Sequence, residues 1–231
     1  ITVPAMFDIA QKDATKRAAH QAGFEQVELL QEPIAASMAY GLGGRSKDGF
    51  WLVFDFGGGT FDAALVHVED GVMQVKDSAG DNYLGGKNLD MAMVEQIIIP
   101  YLESEYEVEG ILEDEHKRLV LQNAMKQYAE DAKIRLSFQD DYNILSDVGD
   151  IPPTPEGIEF ELDIDIDQAT LKKVLAPIFQ KAIDICQELL NRNNLTGNDL
   201  DTLLLVGGPT HSPILRSMVA EQICEPDTSV D

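Results

Sequence analysis

Between Asp55 and Asp62 the chain reads Asp-Phe-Gly-Gly-Gly-Thr-Phe-Asp, residue types whose spacing suits the handling of a polyphosphate. Three consecutive glycines allow positive φ and remove every side chain from a turn. Backbone N–H groups can then close on a multiply charged oxyanion. Thr60 adds a hydroxyl, and Asp55 puts a carboxylate at the turn mouth, where a hydrated Mg²⁺ can bridge to phosphate. An ordinary hairpin with a flexible tip uses the same letters, and GGGT alone does not separate the two. A second junction, Leu203 to Val206 followed by Gly207-Gly208 and a helix opened by Ser212-Pro213 and running through Ile223, offers an anion a helix N-terminus. Such junctions also serve plain chain reversal.

The elements that must position these residues follow from periodicity. Trp51, Leu52, Val53 and Phe54 lead into the glycines, and Phe61, Ala63, Leu65 and Val66 leave them: strand, tight turn, strand. Asp70-Gly71 with Val72 and Val75 extends this as a meander. Upstream, Asp8 caps a helix to Ala22 that Gly23 stops. Val27, Leu29 and Leu30 lead to Glu32-Pro33 and a second helix, Ile34 to Tyr40, with proline in its first turn. Gly41, Gly43 and Gly44 end it, and the polar stretch Arg45 to Gly49 marks a lobe boundary. Downstream, Gly80, Gly85 and Gly86 precede a helix over Leu89 to Leu102 with Asn88 as N-cap. Glu103 to Glu115 reads as a solvated acidic surface. Leu119 to Leu136 has a helical period whose polar face presents Glu130, Lys133 and Ser137. Pro152, Pro153 and Pro155 break the chain before an alternating run from Ile158 to Ile166, a strand with one wet face. Asp163, Asp165 and Asp167 imitate a calcium loop, but Gln168 stands where that loop needs glycine and Val174 where it needs glutamate. Asp167 is better read as the N-cap of a helix to Leu190.

Composition sets outer bounds. The 231 residues can form one large domain or two modest ones, and 44% hydrophobic with 25% charged residues is the balance of a folded chain. A net charge of −24 without a Lys/Arg cluster argues against nucleic acid as a partner. No apolar run reaches the ~18 residues of a membrane span. The two cysteines, Cys186 and Cys224, lie outside any paired motif; Cys186 continues a helical apolar stripe, which suits a reducing, cytoplasmic setting. The chain opens at Ile1-Thr2-Val3-Pro4 as if cut in mid-strand, and a fragment is expected.

Taken together, TVPAMF, QEPIAASMAYGL, FDFGGGTFD, EDGVMQVKDSAGDNYLGGKNLD, AEDAKIRLS and LLLVGGPTHSP resemble, in order, the nucleotide-binding domain of the Hsp70 (DnaK-like) chaperones. The resemblance implies an α/β, actin-like ATPase (ribonuclease H-like) fold with a mixed sheet flanked by helices and a smaller α+β subdomain. Residues 1–48 would be a remnant of the first lobe and 49–231 the second, with an outer subdomain over about 86–168. It further implies ATP or ADP bound with Mg²⁺ between two lobes. Gly57, Gly58, Gly59 and Thr60 match the turn around the β and γ phosphates. Asp55 and Glu32 match the carboxylates on the metal's water shell, and Asp62 one near a monovalent cation such as K⁺. Glu130, Lys133, Ser137, Gly207 and Gly208 match the adenosine positions, and Asp227 an aspartate near the ribose. Thr60, Asp55 and Glu32 are the catalytic candidates. Implied partners are unfolded polypeptide clients, held by a domain outside this sequence, a J-domain co-chaperone and a nucleotide exchange factor.

Departures from the pattern matter to the reading. Ile134 stands where the family stacks a guanidinium on adenine, His211 where it has a second adenosine arginine, and Pro209 where it has a serine. The family's first phosphate loop and catalytic lysine precede TVP, so the fragment is expected not to hydrolyse ATP although the parent does. An Hsp110-like or degenerate nucleotide-binding co-chaperone, and an actin-like filament protein, stay open as alternatives.

Overall fold

The computed structural model describes residues 1–41, 48–146, 157 and 159–227. Its elements begin with β1 (Thr2–Val3), α1 (Ile9–Gln21), β2 (Leu30–Gln31), α2 (Glu32–Gly41), β3 (Gly49–Phe56), β4 (Phe61–Glu69) and β5 (Val72–Asp81). There follow α3 (Gly86–Met93), a π-helical stretch Val94–Ile98, α4 (Ile99–Glu105), α5 (Glu109–Leu112) and α6 (Glu115–Arg135). The chain closes with β6 (Asp141–Leu145), β7 (Asp163–Asp167), α7 (Gln168–Arg192), β8 (Leu200–Val206) and α8 (Pro213–Gln222). They fall into two compact units: residues 1–85, 180–210 and 216–231, and residues 86–179 with 211–215.

The first unit is built on a mixed sheet ordered β5-β4-β3-β8, antiparallel except for the parallel β3–β8 pair. Its hairpins have local causes. Asp70 and Gly71 both take positive φ, 49° and 77°, the left-handed pair that a tight two-residue turn demands. Alternation then sorts the side chains of β3 and β4. Phe54, Phe56 and Phe61 gather on one face, with ring centroids 4.7 to 6.4 Å apart. Trp51, Val53, Ala64 and Val66 lie on the other, where Ile34, Ala36 and Tyr40 of α2 pack against them. The two faces of β3 are thus both buried, which is why its sequence is continuously apolar rather than alternating. α1 opens with a reciprocal cap: Asp8 Oδ1 accepts from Gln11 N, and Gln11 Oε1 accepts from Asp8 N, each at 2.8 Å. At the far end of α7, Arg192 grips Asp77 of β5 through Nε and Nη2 at 2.6 and 2.7 Å.

The second unit holds α3 to α6, the β6–β7 hairpin and the start of α7. Its first helix begins at Gly86, two residues before the expected cap, so Asn88 lies within the first turn. A π-helical stretch carries it into Pro100, which has no N–H to continue an α pattern. The acidic segment is not wholly solvated: Val108 and Ile111 are buried in and beside α5. The strand expected from Ile158 is regular only over Asp163–Asp167, although Phe160 and Leu162 are buried as the alternation requires. Its partner β6 was not foreseen. Asn143 of β6 donates to Asp163 and Asp165 at 2.8 and 2.9 Å across the wet face, so these aspartates belong to a sheet and not to a calcium loop. Asp167 caps α7 by accepting from Thr170 N at 2.7 Å, and Cys186 is fully buried. Gly43, Gly44, most of the proposed lobe boundary, Pro152, Pro153, Pro155 and Ile158 lie outside the described residues.

Candidate functional site

In the first unit, β3 and β4 meet at a turn closed by Gly57 N donating to Thr60 O at 2.9 Å. The glycines are there for space rather than for unusual torsions, because none of Gly57, Gly58 and Gly59 takes positive φ. A Cβ built on Gly85 would fall 2.6 Å from the backbone of Gly59, so a second glycine lies directly against the turn. Gly58 has nothing within 4 Å of the place where a side chain would start, and it faces open space. Positive φ occurs instead at Gly207, 97°, where β8 ends beside β3. A Cβ there would meet Phe56 O at 2.2 Å and Asp55 Oδ1 at 3.4 Å. The two glycine junctions therefore converge on one strand end.

The same strand end gathers acid. The register places Asp55 of β3 directly opposite Asp62 of β4, on the face that α2 covers. Glu32, the first residue of α2, lines a shared pocket with Asp55, Asp62, Ala5, Pro33, Val53, Ala63 and Ala64. Like charges opposite one another on a ladder are destabilising. Burial pushes the Asp55 carboxyl above its ordinary value, and the neighbouring Asp62 charge adds to it. Glu32 is raised by burial and by both aspartates, and Asp62 by burial. Among the described residues, no ion pair joins any of the three to Lys, Arg or His. Nor does any group of three or more acidic, His or Cys side chains there close tightly enough to hold a metal ion directly. Three half-buried carboxylates gathered at one strand end carry negative charge that a cation keeping its waters would offset; Asp55 and Glu32 would face a hydrated Mg²⁺, and Asp62 would stand near a monovalent cation.

Asp227 is also in this unit. Its carboxylate accepts from the Tyr40 hydroxyl at the end of α2, and its N–H donates to Leu203 O at 2.9 Å. Sequence gave no signal for this pairing, since the partners stand 187 positions apart. Gly208 follows Gly207 into a single 3₁₀ turn that ends at His211.

The adenosine candidates of α6 belong to the second unit. Glu130 is exposed on the helix surface. Lys133 points inward, and its ammonium donates to Asp90 Oδ1 of α3 at 2.5 Å. Ser137 Oγ donates to Lys133 O at 3.1 Å. Ile134 is 49% exposed, and Phe138, 75% exposed, lies against the His211 ring with centroids 5.8 Å apart. Lys133 and Glu130, three apart, could have formed a plain surface pair. The buried Asp90 takes the ammonium instead.

No helix of the described residues is long and apolar enough to cross a membrane. Across the comparisons with known proteins, the family model described as Hsp70 protein matches residues 1–231, the whole chain.

Proposed function

Because this chain belongs to the Hsp70 family, whose members are chaperones with an actin-like ATPase fold, we propose that its glycine turn and acidic trio bind the phosphates and hydrated Mg²⁺ of ATP or ADP. The observation that carries this reading is the gathering of Glu32, Asp55 and Asp62 in one pocket at the mouth of the triple-glycine turn, all raised by burial and the first two also by their acidic neighbours. The metal, when bound, neutralises phosphate charge. Asp55 and Glu32 would hold its water shell, and Asp62 would stand near a monovalent cation. Gly57, Gly58 and Gly59 keep side chains away from the phosphates. Thr60, exposed at the turn, presents a hydroxyl that orients the attacking water for in-line displacement at the γ-phosphate.

Glu130, Lys133, Ser137, Gly207, Gly208 and Asp227 hold adenosine in the same reading. Residues 1–48 are then the remnant of a first lobe and 49–231 the second, and nucleotide state is coupled to the grip on unfolded polypeptide. J-domain and exchange-factor partners follow from the family's working cycle, as does a cytoplasmic site of action. A second reading, a nucleotide-binding co-chaperone that does not hydrolyse, is favoured by an apolar Ile134 on α6 and an imidazole, His211, at the end of the 3₁₀ turn, in place of two guanidinium groups.

Titration calorimetry of the chain with Mg-ADP and Mg-ATP, beside Gly58→Asp, tests the proposal. Gly58 has open space and no positive φ, so the variant folds and carries its new carboxylate into the phosphate position. Saturable binding lost in the variant is the expected result. Absence of binding by the parent chain at millimolar nucleotide, or binding that Gly58→Asp leaves intact, overturns it. Single-turnover hydrolysis by the full-length parent, since the fragment itself is expected not to hydrolyse, separates the two readings.

A further inference from the structure

Lys133 is the point around which one end of α6 is arranged. Its ammonium is bound to Asp90 at 2.5 Å, with the side chains 12% and 6% exposed respectively, and its carbonyl accepts the Ser137 hydroxyl at 3.1 Å. A lysine at a helix surface sweeps a wide volume on four rotatable bonds. Here the stem lies buried between α3 and α6, and a carboxylate from the other helix fixes the nitrogen. An ammonium has three donors in tetrahedral array. With one committed to Asp90, the directions of the remaining two are set by the anchor rather than by solvent.

We infer that Asp90 is a positioning residue for nucleoside binding: held on α3, it fixes the Lys133 ammonium and, through the same residue's backbone, the register of Ser137. This rests on the assignment of Lys133 and Ser137 to adenosine proposed above. Stability alone is a poor account of the pair, because a buried ion pair is commonly matched or bettered by apolar residues of the same volume. Orientation is what the pair supplies that apolar residues would not. Burial raises the Asp90 carboxyl above its ordinary value while the Lys133 hydrogen bond and charge pull it down; Glu130 raises it further and Lys126 lowers it. Lys133 thus offsets part of the cost of burying the anion that orients it.

The test uses the whole chain and the variants Asp90→Asn, Lys133→Met and their combination. Each is titrated with Mg-ADP and with Mg-pyrophosphate, which shares the phosphates but lacks the nucleoside. Asp90→Asn is expected to weaken Mg-ADP by about tenfold, as for one charge-assisted hydrogen bond, and to leave Mg-pyrophosphate within about twofold. The double variant should bind Mg-ADP no more weakly than Lys133→Met alone. Loss of affinity in Lys133→Met with none in Asp90→Asn overturns the positioning role while leaving the nucleotide reading intact. Equal losses for both ligands reveal a merely structural role and also overturn it. If neither variant affects Mg-ADP while Gly58→Asp abolishes binding, the adenosine assignment of Lys133 fails, and the inference with it. A readout free of nucleotide is the acylation rate of Lys133 followed by peptide mass spectrometry. It should rise several-fold in Asp90→Asn and be restored towards the parent value in Asp90→Glu; an unchanged rate overturns the inference whatever the titrations give.

Discussion

Asp55, Asp62 and Glu32 in the first unit and Asp90 in the second are the same chemistry in opposite circumstances. All four lose water on folding, and burial raises each carboxyl. Asp90 has a lysine from its own unit 2.5 Å away, which offsets the loss. The trio at the glycine turn has no such partner among the described residues, and Asp55 and Asp62 stand opposite one another across a ladder with Glu32 beside them. The second unit compensates its buried carboxylate from within, whereas the three half-buried ones of the first unit carry charge that the proposed nucleotide-bound Mg²⁺ would offset.

Substitutions sharpen that contrast. Asp90→Ala strands a buried ammonium and should destabilise the chain by about 4 kcal/mol. Thermal or denaturant unfolding reads this, and a shift near zero would mean that the pair contributes nothing. Gly207→Ala should cost roughly 3 kcal/mol, because the new methyl meets Phe56 O at 2.2 Å and φ is 97°. That substitution also displaces the end of β3 that carries Asp55, so metal-dependent stabilisation should fall with it.

Asp62→Asn has the opposite sign. It removes a like-charge neighbour from Asp55 and should raise the stability of the metal-free chain by about 0.5–1 kcal/mol. Added Mg²⁺ should then stabilise the parent more than the variant. If Asp62→Asn destabilises as Asp90→Ala does, the trio is compensated after all and the contrast collapses.

The smallest effect is on pH. Carboxyls held above their ordinary values bind protons more tightly in the folded chain than in the unfolded one. Stability therefore rises as pH falls from above the raised folded values towards the ordinary carboxylate range, and is lost as pH climbs back. Asp62→Asn should flatten that slope just above the ordinary carboxylate range, where the raised carboxyls titrate. Saturating Mg²⁺ should flatten it as well, since a nearby cation favours the charged forms.

Much of the hairpin around the turn could be read from the letters, since alternation, glycine and Asp-Gly act over a few residues. The cap on α1 and the N-cap at Asp167 were likewise local. β6 escaped because its alternation, Asp141, Tyr142, Asn143, Ile144, runs for only four residues and is fixed as a strand by its pairing with β7. The onset of α3 was misread because Asn88 is a good cap by type, whereas the helix starts at Gly86, directly after the glycine that lies against Gly59. Of the two uses that the letters allow the turn's glycines, positive φ and freedom from side chains, the structure shows the second, in the close approach of Gly85 to Gly59.

By itself, then, the sequence determined the strand–turn–strand carrying Asp55, Thr60 and Asp62, the helices of α1, α2, α6 and α7, and a family resemblance spanning the chain. These rest on hydrogen bonds and side-chain periods contained within short segments. The tertiary structure alone decided that Glu32 faces Asp55 and Asp62, that Gly207 abuts the end of β3, that Tyr40 binds Asp227, and that Lys133 turns inward to Asp90. Each of those joins residues at least 23 positions apart, and only the packing of one element on another sets such distances.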